Sequence, residues 1–334
     1  MLLEGCFKHG ICDIIGNIVQ IIKNIVFAWI DCHYVFYPGV MYTKLCLQTQ
    51  YREINMESKT LYVSDLDGTL LRSNETTSDY TNEVINKMTE QGIMFSYATA
   101  RSMVSAPKVT KGLDAKIPLI VYNGAFIIDN QTGEIILENF FEEGIDGVLQ
   151  DLVDNGVYPI VYTFINGIEQ FLYIPGKSSK EMLEFITTRK NDRRKHPVKN
   201  KEELQEGKSF YITCIDLPEK LFPLYRKYKD KYHCIYQKDI YSGAQWLEIM
   251  PHASTKANAA RELKTLLGCN RVVVFGDGMN DIEMFQMADE CYAVANAVPE
   301  LKEIATDVIG GNNSDGVAAW LEKNVLLKSN PGKP

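Results

Sequence analysis

Two acidic residues one position apart, Asp65 and Asp67, stand in the segment Val63-Ser64-Asp65-Leu66-Asp67-Gly68-Thr69-Leu70-Leu71. Apolar residues lead into them and Gly-Thr follows, so the pattern reads as a strand that ends on two carboxylates and then turns. In an open α/β sheet, ligands bind at the carboxyl ends of strands. A strand-end Asp can also simply cap a turn, but the apolar lead-in together with Gly-Thr weighs towards chemistry. An Asp with a reference pKa of about 3.9 is ionised at neutral pH, so Asp65 can attack phosphorus without a base to activate it. Charge opposes that attack. Two like unit charges about 4 Å apart repel by about 4 kcal/mol at an effective dielectric of about 20, and a phosphate monoester carries nearly two charges. A cation is needed.

A second segment offers it a place: Val272-Val273-Val274-Phe275-Gly276-Asp277-Gly278-Met279-Asn280-Asp281. Here a buried-strand run ends in a glycine-flanked carboxylate, and another carboxylate follows one helical turn later. Magnesium (Mg2+) takes oxygen ligands, commonly one or two carboxylates with waters and substrate phosphate. Asp65 and Asp277 are the best pair of side-chain ligands, with Asp281 as a direct or supporting contributor. Two weaker elements complete a phosphate site. Phe95-Ser96-Tyr97-Ala98-Thr99-Ala100-Arg101 is a further strand leading into Thr99, whose hydroxyl and backbone amides could donate to phosphate oxygens at a helix N-terminus. Lys256 opens a helical segment and can neutralise charge as a phosphoryl group transfers.

The elements that must position these residues are legible from Lys59 onward. Apolar runs at Leu61 to Val63, Ile93 to Tyr97, Leu119 to Tyr122 and Val272 to Phe275 end in polar or glycine-containing loops. Helical segments such as Tyr80 to Gln91 and Lys256 to Leu267 lie between or beside them. Strands apolar on both faces and alternating with helices predict a doubly wound parallel-sheet α/β core over 57–140 and 246–334. The middle, 141–245, has alternating stretches at Val157 to Phe164, Glu169 to Ile174, Ser209 to Ile215 and Cys234 to Gln237, and reads as an inserted α+β domain. Its basic stretch Arg189 to Lys201 reads as a solvated helix end or loop.

Residues 1–55 differ in character. Ile14, Ile15, Ile18, Ile22, Ile25 and Trp29 recur at helical spacing opposite Asp13, Asn17, Gln20 and Asn24, which predicts an amphipathic helix. The run from Ile14 to Ile30 falls short of the roughly 20 apolar residues of a spanning helix and carries Lys23. Three readings are open to it: an interfacial membrane helix, which is not favoured, a partner-binding helix, and a segment outside the functional protein, which would then start near Met56; the last fits best. In the whole chain of 334 residues, 46% hydrophobic and 23% charged residues are those of an ordinary folded protein. A net charge of −8 gives no general attraction for nucleic acid, so the expected partner is a small anion. Eight scattered cysteines without CxxC spacing read as reduced thiols of a cytoplasmic protein. Nothing in the sequence specifies an oligomeric state.

Taken in order, the segments around Asp65, Thr99, Lys256 and Asp277 resemble the haloacid dehalogenase superfamily, specifically its Cof-like phosphatases. The resemblance covers about residues 59 to 325, including Val121-Tyr122-Asn123-Gly124-Ala125 and Asn313-Ser314-Asp315-Gly316-Val317-Ala318. It implies Asp65 as nucleophile and Asp67 as the acid that protonates the leaving group and then activates water. Thr99 and Lys256 would hold the phosphoryl group, with Arg101, Asn123, Gly124 and Asn280 also facing substrate. Asp65, the backbone carbonyl of Asp67, and Asp277 would bind Mg2+, with Asn280 and Asp281 supporting the metal and the lysine. The inserted domain would be a mobile cap that excludes water and selects a small phosphorylated metabolite, such as a sugar phosphate. Relatives often have Gly where Ala100 stands and near His252, so the loops at these two places can differ in shape. The same carboxylates would also serve a phosphomutase, and a non-catalytic regulatory protein could use the same fold.

Overall fold

The computed structural model describes residues 60–113, 116–142, 145–238 and 243–329. Five strands form a parallel sheet in the order β14-β13-β12-β1-β2: β1 (Thr60–Ser64), β2 (Met94–Tyr97), β12 (Arg271–Gly276), β13 (Glu290–Val294) and β14 (Asp307–Ile309). The central pair is the most apolar. Leu61 and Val63 of β1 and Val272 to Phe275 of β12 are buried, as a strand covered on both faces requires. Trp320, on the helix Gly316–Leu321, packs its ring against Tyr62, Phe275 and Tyr292 and so covers three adjacent strands. Helix Asp79–Glu90 starts at Ser78, whose side chain accepts from the Thr81 amide, and buries Val84, Ile85 and Met88 at helical spacing.

A three-stranded antiparallel sheet, β3 (Leu119–Val121), β4 (Phe126–Ile128) and β5 (Ile135–Glu138), follows β2. The run at Leu119 was expected in the parallel sheet. It touches that sheet only through a parallel bridge from Ala98 to Ile120, because the hairpin with β4 claims its other edge.

The inserted domain is a six-stranded sheet in the order β10-β11-β9-β6-β7-β8, with helices Asp146–Asp154, Lys180–Thr188 and Pro218–Tyr228. Its strands are β6 (Ile160–Ile165), β7 (Ile168–Tyr173), β8 (Lys195–Pro197), β9 (Lys208–Ile215), β10 (His233–Lys238) and β11 (Gln245–Met250). Its own core gathers Leu149, Leu152, Val161, Leu172, Ile212 and Leu247. Because β11 pairs with both β9 and β10, this sheet runs through Met250, past the 245/246 boundary expected from the sequence. The basic stretch also departs from expectation. It contains β8, and Arg194 within it is mostly buried and paired with Glu169 and Asp192, because β7 and the loop before β8 fold over it. The predicted helix in residues 1–55 lies outside the described residues. Among the described residues, no helix is long and apolar enough to cross a membrane, and Cys214, Cys234, Cys269 and Cys291 are unpaired thiols.

Candidate active site

β1 and β12 are neighbours in parallel register, with Ser64 opposite Phe275, and the Asp65 amide donates to the Phe275 carbonyl at 2.9 Å. That register brings two carboxylates far apart in sequence to the same carboxyl edge. One oxygen each of Asp65, Asp277 and Asp281 lies within 4.8 Å of the others. Lys256, the first residue of the helix Lys256–Leu266, reaches into the cluster and donates to Asp65 Oδ1 at 2.5 Å and to Asp281 Oδ1 at 2.8 Å. The other oxygen of Asp281 accepts the amides of Asp277 and Gly278, at 3.0 and 3.1 Å. Asp281 is therefore occupied with orienting the lysine and the β12 loop, which leaves Asp65 and Asp277 as the better direct ligands for an ion.

The turn after β1 is shaped for this cluster. Gly68 has φ +79°, and a Cβ there would come within 2.1 Å of Asp277 Oδ2, so the loop passes directly against that carboxylate. Thr69 Oγ1 donates to Asp277 Oδ1 at 3.3 Å, and Asn296 Nδ2 donates to the Gly68 carbonyl at 2.7 Å. Electrostatically the cluster is short of positive charge. Burial pushes the Asp65 carboxyl well above its usual range, and Asp281, Asp277 and Asp67 add to the push while Lys256 opposes it. Burial, with Asp281 next, pushes Asp277 up to about 7. Lys256 is held protonated: burial works against its charge, and Asp281 and Asp65 outweigh it. Three carboxyl groups gathered on one ammonium form an oxygen-lined site with too little positive charge to keep them all ionised, which is the donor set a divalent magnesium ion fits.

Asp67 lies beside this cluster, its side chain gripped by Arg101: Nε donates to Oδ2 at 2.8 Å and Nη2 to Oδ1 at 2.6 Å. The same Nη2 reaches Glu75 Oε2 at 2.8 Å. Thr99 is fully buried where β2 runs out beside β1. Its expected setting at a helix N-terminus does not occur. The Thr99 amide donates to the Ile120 carbonyl, its hydroxyl accepts from the Arg101 amide at 3.0 Å, and the next helix starts only at Ala106, so the bridge to β3 has consumed that donor. Ala100 has no positive φ, so its methyl is accommodated, and His252 is exposed.

Asn123 and Gly124 were expected to face substrate, and the structure gives them another setting. Gly124, at φ +93°, passes so close to the Thr255 carbonyl that a Cβ would sit 2.2 Å from it. It buttresses the residue that caps the Lys256 helix. Asn123 is buried and donates to the Tyr211 hydroxyl of the inserted domain at 2.9 Å. Asn280 is half-buried at the edge of the β12 loop, without a side-chain hydrogen bond among the described residues.

Above these groups opens a cleft of about 1270 Å³, lined by Asp67, Arg101 and Glu75 on one side and by Tyr162, Arg189 and Trp246 of the inserted domain on the other. Sequence reasoning missed Glu75, Tyr122, Tyr162, Phe185, Arg194 and Trp246. Only the position of Tyr122, just before Asn123-Gly124, carried any signal.

A sequence model described as haloacid dehalogenase-like hydrolase matches residues 62–321. The chain is 26% identical over 275 residues to 5-amino-6-(5-phospho-D-ribitylamino)uracil phosphatase YwtE of Bacillus subtilis, covering 78% of this chain and 96% of that one. A second phosphatase of that printed name from the same organism, YitU, is 25% identical over 279 residues, covering 81% and 100%. Among solved structures, TM0651 from Thermotoga maritima superposes with a TM-score of 0.63 at 28% identity, over 79% of this chain and 96% of that one. Sequence match and shared fold agree, and we conclude that the chain belongs to the haloacid dehalogenase-like hydrolases and is a phosphatase of that family.

Proposed function

We propose that the chain hydrolyses the phosphomonoester of a small cytoplasmic metabolite, such as a sugar phosphate, through an aspartyl-phosphate formed on Asp65 and with the aid of magnesium. The observation that carries this reading is the convergence of Asp65, Asp277 and Asp281 on the buried Lys256 at the carboxyl edge of the sheet. Asp65 and Asp277, with the Asp67 carbonyl, would hold Mg2+, which when bound offsets the negative charge that otherwise repels a phosphate from the nucleophile. Lys256 neutralises phosphoryl oxygens as the Asp65 carboxylate forms a bond to phosphorus and the ester bond breaks. Asp67, in its protonated form, gives the departing oxygen its proton, and the two Arg101 hydrogen bonds to its oxygens belong to the ionised form that is left. The same carboxylate then takes a proton from the water that attacks the acyl phosphate, so that inorganic phosphate leaves and Asp65 is regenerated. Thr99, through its hydroxyl, completes the phosphoryl-binding set, and the inserted domain acts as a cap that excludes water from the acyl phosphate. The two relatives whose printed substrate is itself a small phosphorylated molecule support the substrate class.

Phosphate release from a generic aryl phosphate, with and without magnesium, tests the reading. Asp65→Asn is expected to abolish metal-dependent release while leaving the unfolding transition in place. Undiminished release by that variant would remove Asp65 as nucleophile.

A further inference from the structure

Among the described residues, three of the cations that line the cleft, Lys108, Arg189 and Lys190, form no ion pair, and Arg189 alone of the three is also stacked on an aromatic ring. Arg101 is neutralised by Asp67 and Glu75, and Arg194 by Glu169 and Asp192. Arg189, at the end of the helix Lys180–Thr188, has no such neighbour. One of its nitrogens donates to the Phe185 carbonyl at 3.0 Å and to the Thr188 hydroxyl at 3.3 Å, and among the described residues no carboxylate lies within ion-pair distance. Of the acidic residues that line the inserted-domain wall of the cleft, Asp192 holds Arg194, Glu248 holds the Tyr211 hydroxyl, Glu184 pairs with Lys180, and Glu181 forms no ion pair with Arg189. The guanidinium is fixed nonetheless. Its carbon lies 3.4 Å above the Phe185 ring, and Phe185 meets Trp246 edge to face at 4.9 Å and 85°. Burial, together with the neighbouring charge of Arg194, pushes its pKa down, the mark of a cation held where it is poorly compensated. Burying such a charge is costly unless a counter-ion arrives, and an aromatic shelf that locks the guanidinium in place lowers the entropy lost when one does.

Arg189 lines the same cleft as Asp67 and Arg101 but on the wall of the inserted domain, and the volume of the cleft far exceeds that of a phosphate. We infer that Arg189, on its Phe185 and Trp246 shelf, anchors an acidic group at the end of the substrate remote from the scissile phosphate. The enzyme then takes doubly acidic small metabolites, phosphomonoesters that also carry a carboxylate or a second phosphate. This inference rests on the hydrolytic reading of the Asp65 site.

The test uses the full chain and matched pairs of compounds: glycerol phosphate against phosphoglycerate, and fructose monophosphate against fructose bisphosphate. Wild type is expected to favour the acidic member of at least one pair by about tenfold or more in kcat/KM, the size of a charge-assisted contact. The pair that shows the preference identifies the remote group as carboxylate or phosphate. In Arg189→Met the preference is expected to collapse, mainly through KM, and Arg189→Lys is expected to restore part of it. Equal use of both members by wild type, or a preference that survives in Arg189→Met, overturns the inference and leaves the phosphatase standing. Absence of turnover with every compound, including those without a second acidic group, overturns the hydrolytic reading and this inference with it.

Discussion

At the scale of single residues, Lys256 is the group on which the charge balance of the site turns. It is the only ammonium in contact with Asp65 and Asp281 among the described residues, and its side chain is 2% exposed. Replacing it with Met, which keeps much of the volume, leaves buried carboxylates facing one another. A cost of about 3 to 5 kcal/mol is expected, as for any buried ion pair stripped of one partner. Thermal unfolding would read this as a lowered Tm, and magnesium should return more stability to Lys256→Met than to the wild type, because the ion supplies the missing positive charge. A variant as stable as the parent would show that the carboxylates do not depend on the lysine. Gly68 offers a sharper geometric test. Its φ of +79° and the 2.1 Å approach of a would-be Cβ to Asp277 Oδ2 mean that Gly68→Ala must push the turn off the carboxylate. Phosphate release should fall by about a hundredfold or more, as happens when catalytic groups are misplaced by an ångström, with weakened magnesium binding in a titration. Activity within a fewfold of wild type would show that the turn can yield without disturbing Asp277.

At the scale of elements, Asp315 shows how one side chain ties three of them together. It lies at the start of the helix Gly316–Leu321 with φ +53°, accepts from Arg72 Nε at 3.0 Å in the loop after β1, and accepts from Thr81 Oγ1 at 3.2 Å in the helix Asp79–Glu90. Burial raises its carboxyl, yet the hydrogen bonds from Arg72, Ser78 and Thr81 and the Arg72 charge pull it below its usual value overall. A folded-state pKa lower than the unfolded value of about 3.9 contributes stability that is full above that pH and is lost as pH falls through the folded value. Asp315→Asn, which tolerates the same left-handed backbone, is expected to lose about 1 to 2 kcal/mol at neutral pH, the gap to wild type closing as pH falls below the ordinary carboxylate range. Denaturant titrations at neutral and at acid pH measure this, and a gap independent of pH would place the effect outside the carboxylate's charge. The strands behind the site were readable because β1 and β12 are apolar on both faces and end in Asp with Gly, a pattern set by local rules. The setting of Arg194 was not. A basic run looks alike whether solvated or buried, and what buries Arg194 is Glu169 and Tyr122, which only the folded chain brings near it. The role of Gly124 escaped for the same reason, since its close neighbour, the Thr255 carbonyl, is distant in sequence.

At the scale of the whole molecule, the core loop that holds Asn123 is also where the inserted domain rests on the parallel-sheet domain. Tyr122 and Asn123 both have φ +52°, and Gly124 follows at +93°, an unusual run of left-handed backbone held by bonds from Tyr122 and Asn123 to the carbonyls of Arg101 and Thr99. From this platform the Tyr122 ring enters a cluster with Tyr162, Phe210 and Tyr211, and its hydroxyl donates to Glu169 and accepts from Arg194 Nη1 at 2.8 Å. If the inserted domain is a mobile cap, this contact belongs to the closed arrangement and must break on opening. Tyr122→Phe keeps the ring packing and the Arg194 to Glu169 pair but removes the hydroxyl between them. Loss of a hydrogen bond to charged groups is worth about 1.5 to 3 kcal/mol, so the closed-to-open ratio should fall by about tenfold or more. The predicted result is a KM raised by a similar factor with a smaller change in kcat, together with faster hydrogen exchange in β6 and β9 in the absence of substrate. Because the hydroxyl lies apart from Asp65 and Lys256, the unfolding transition of the parallel-sheet domain should stay put. An unchanged KM with unchanged exchange would mean that the aromatic cluster alone holds the two domains together, and that closure does not depend on the polar contact at its centre.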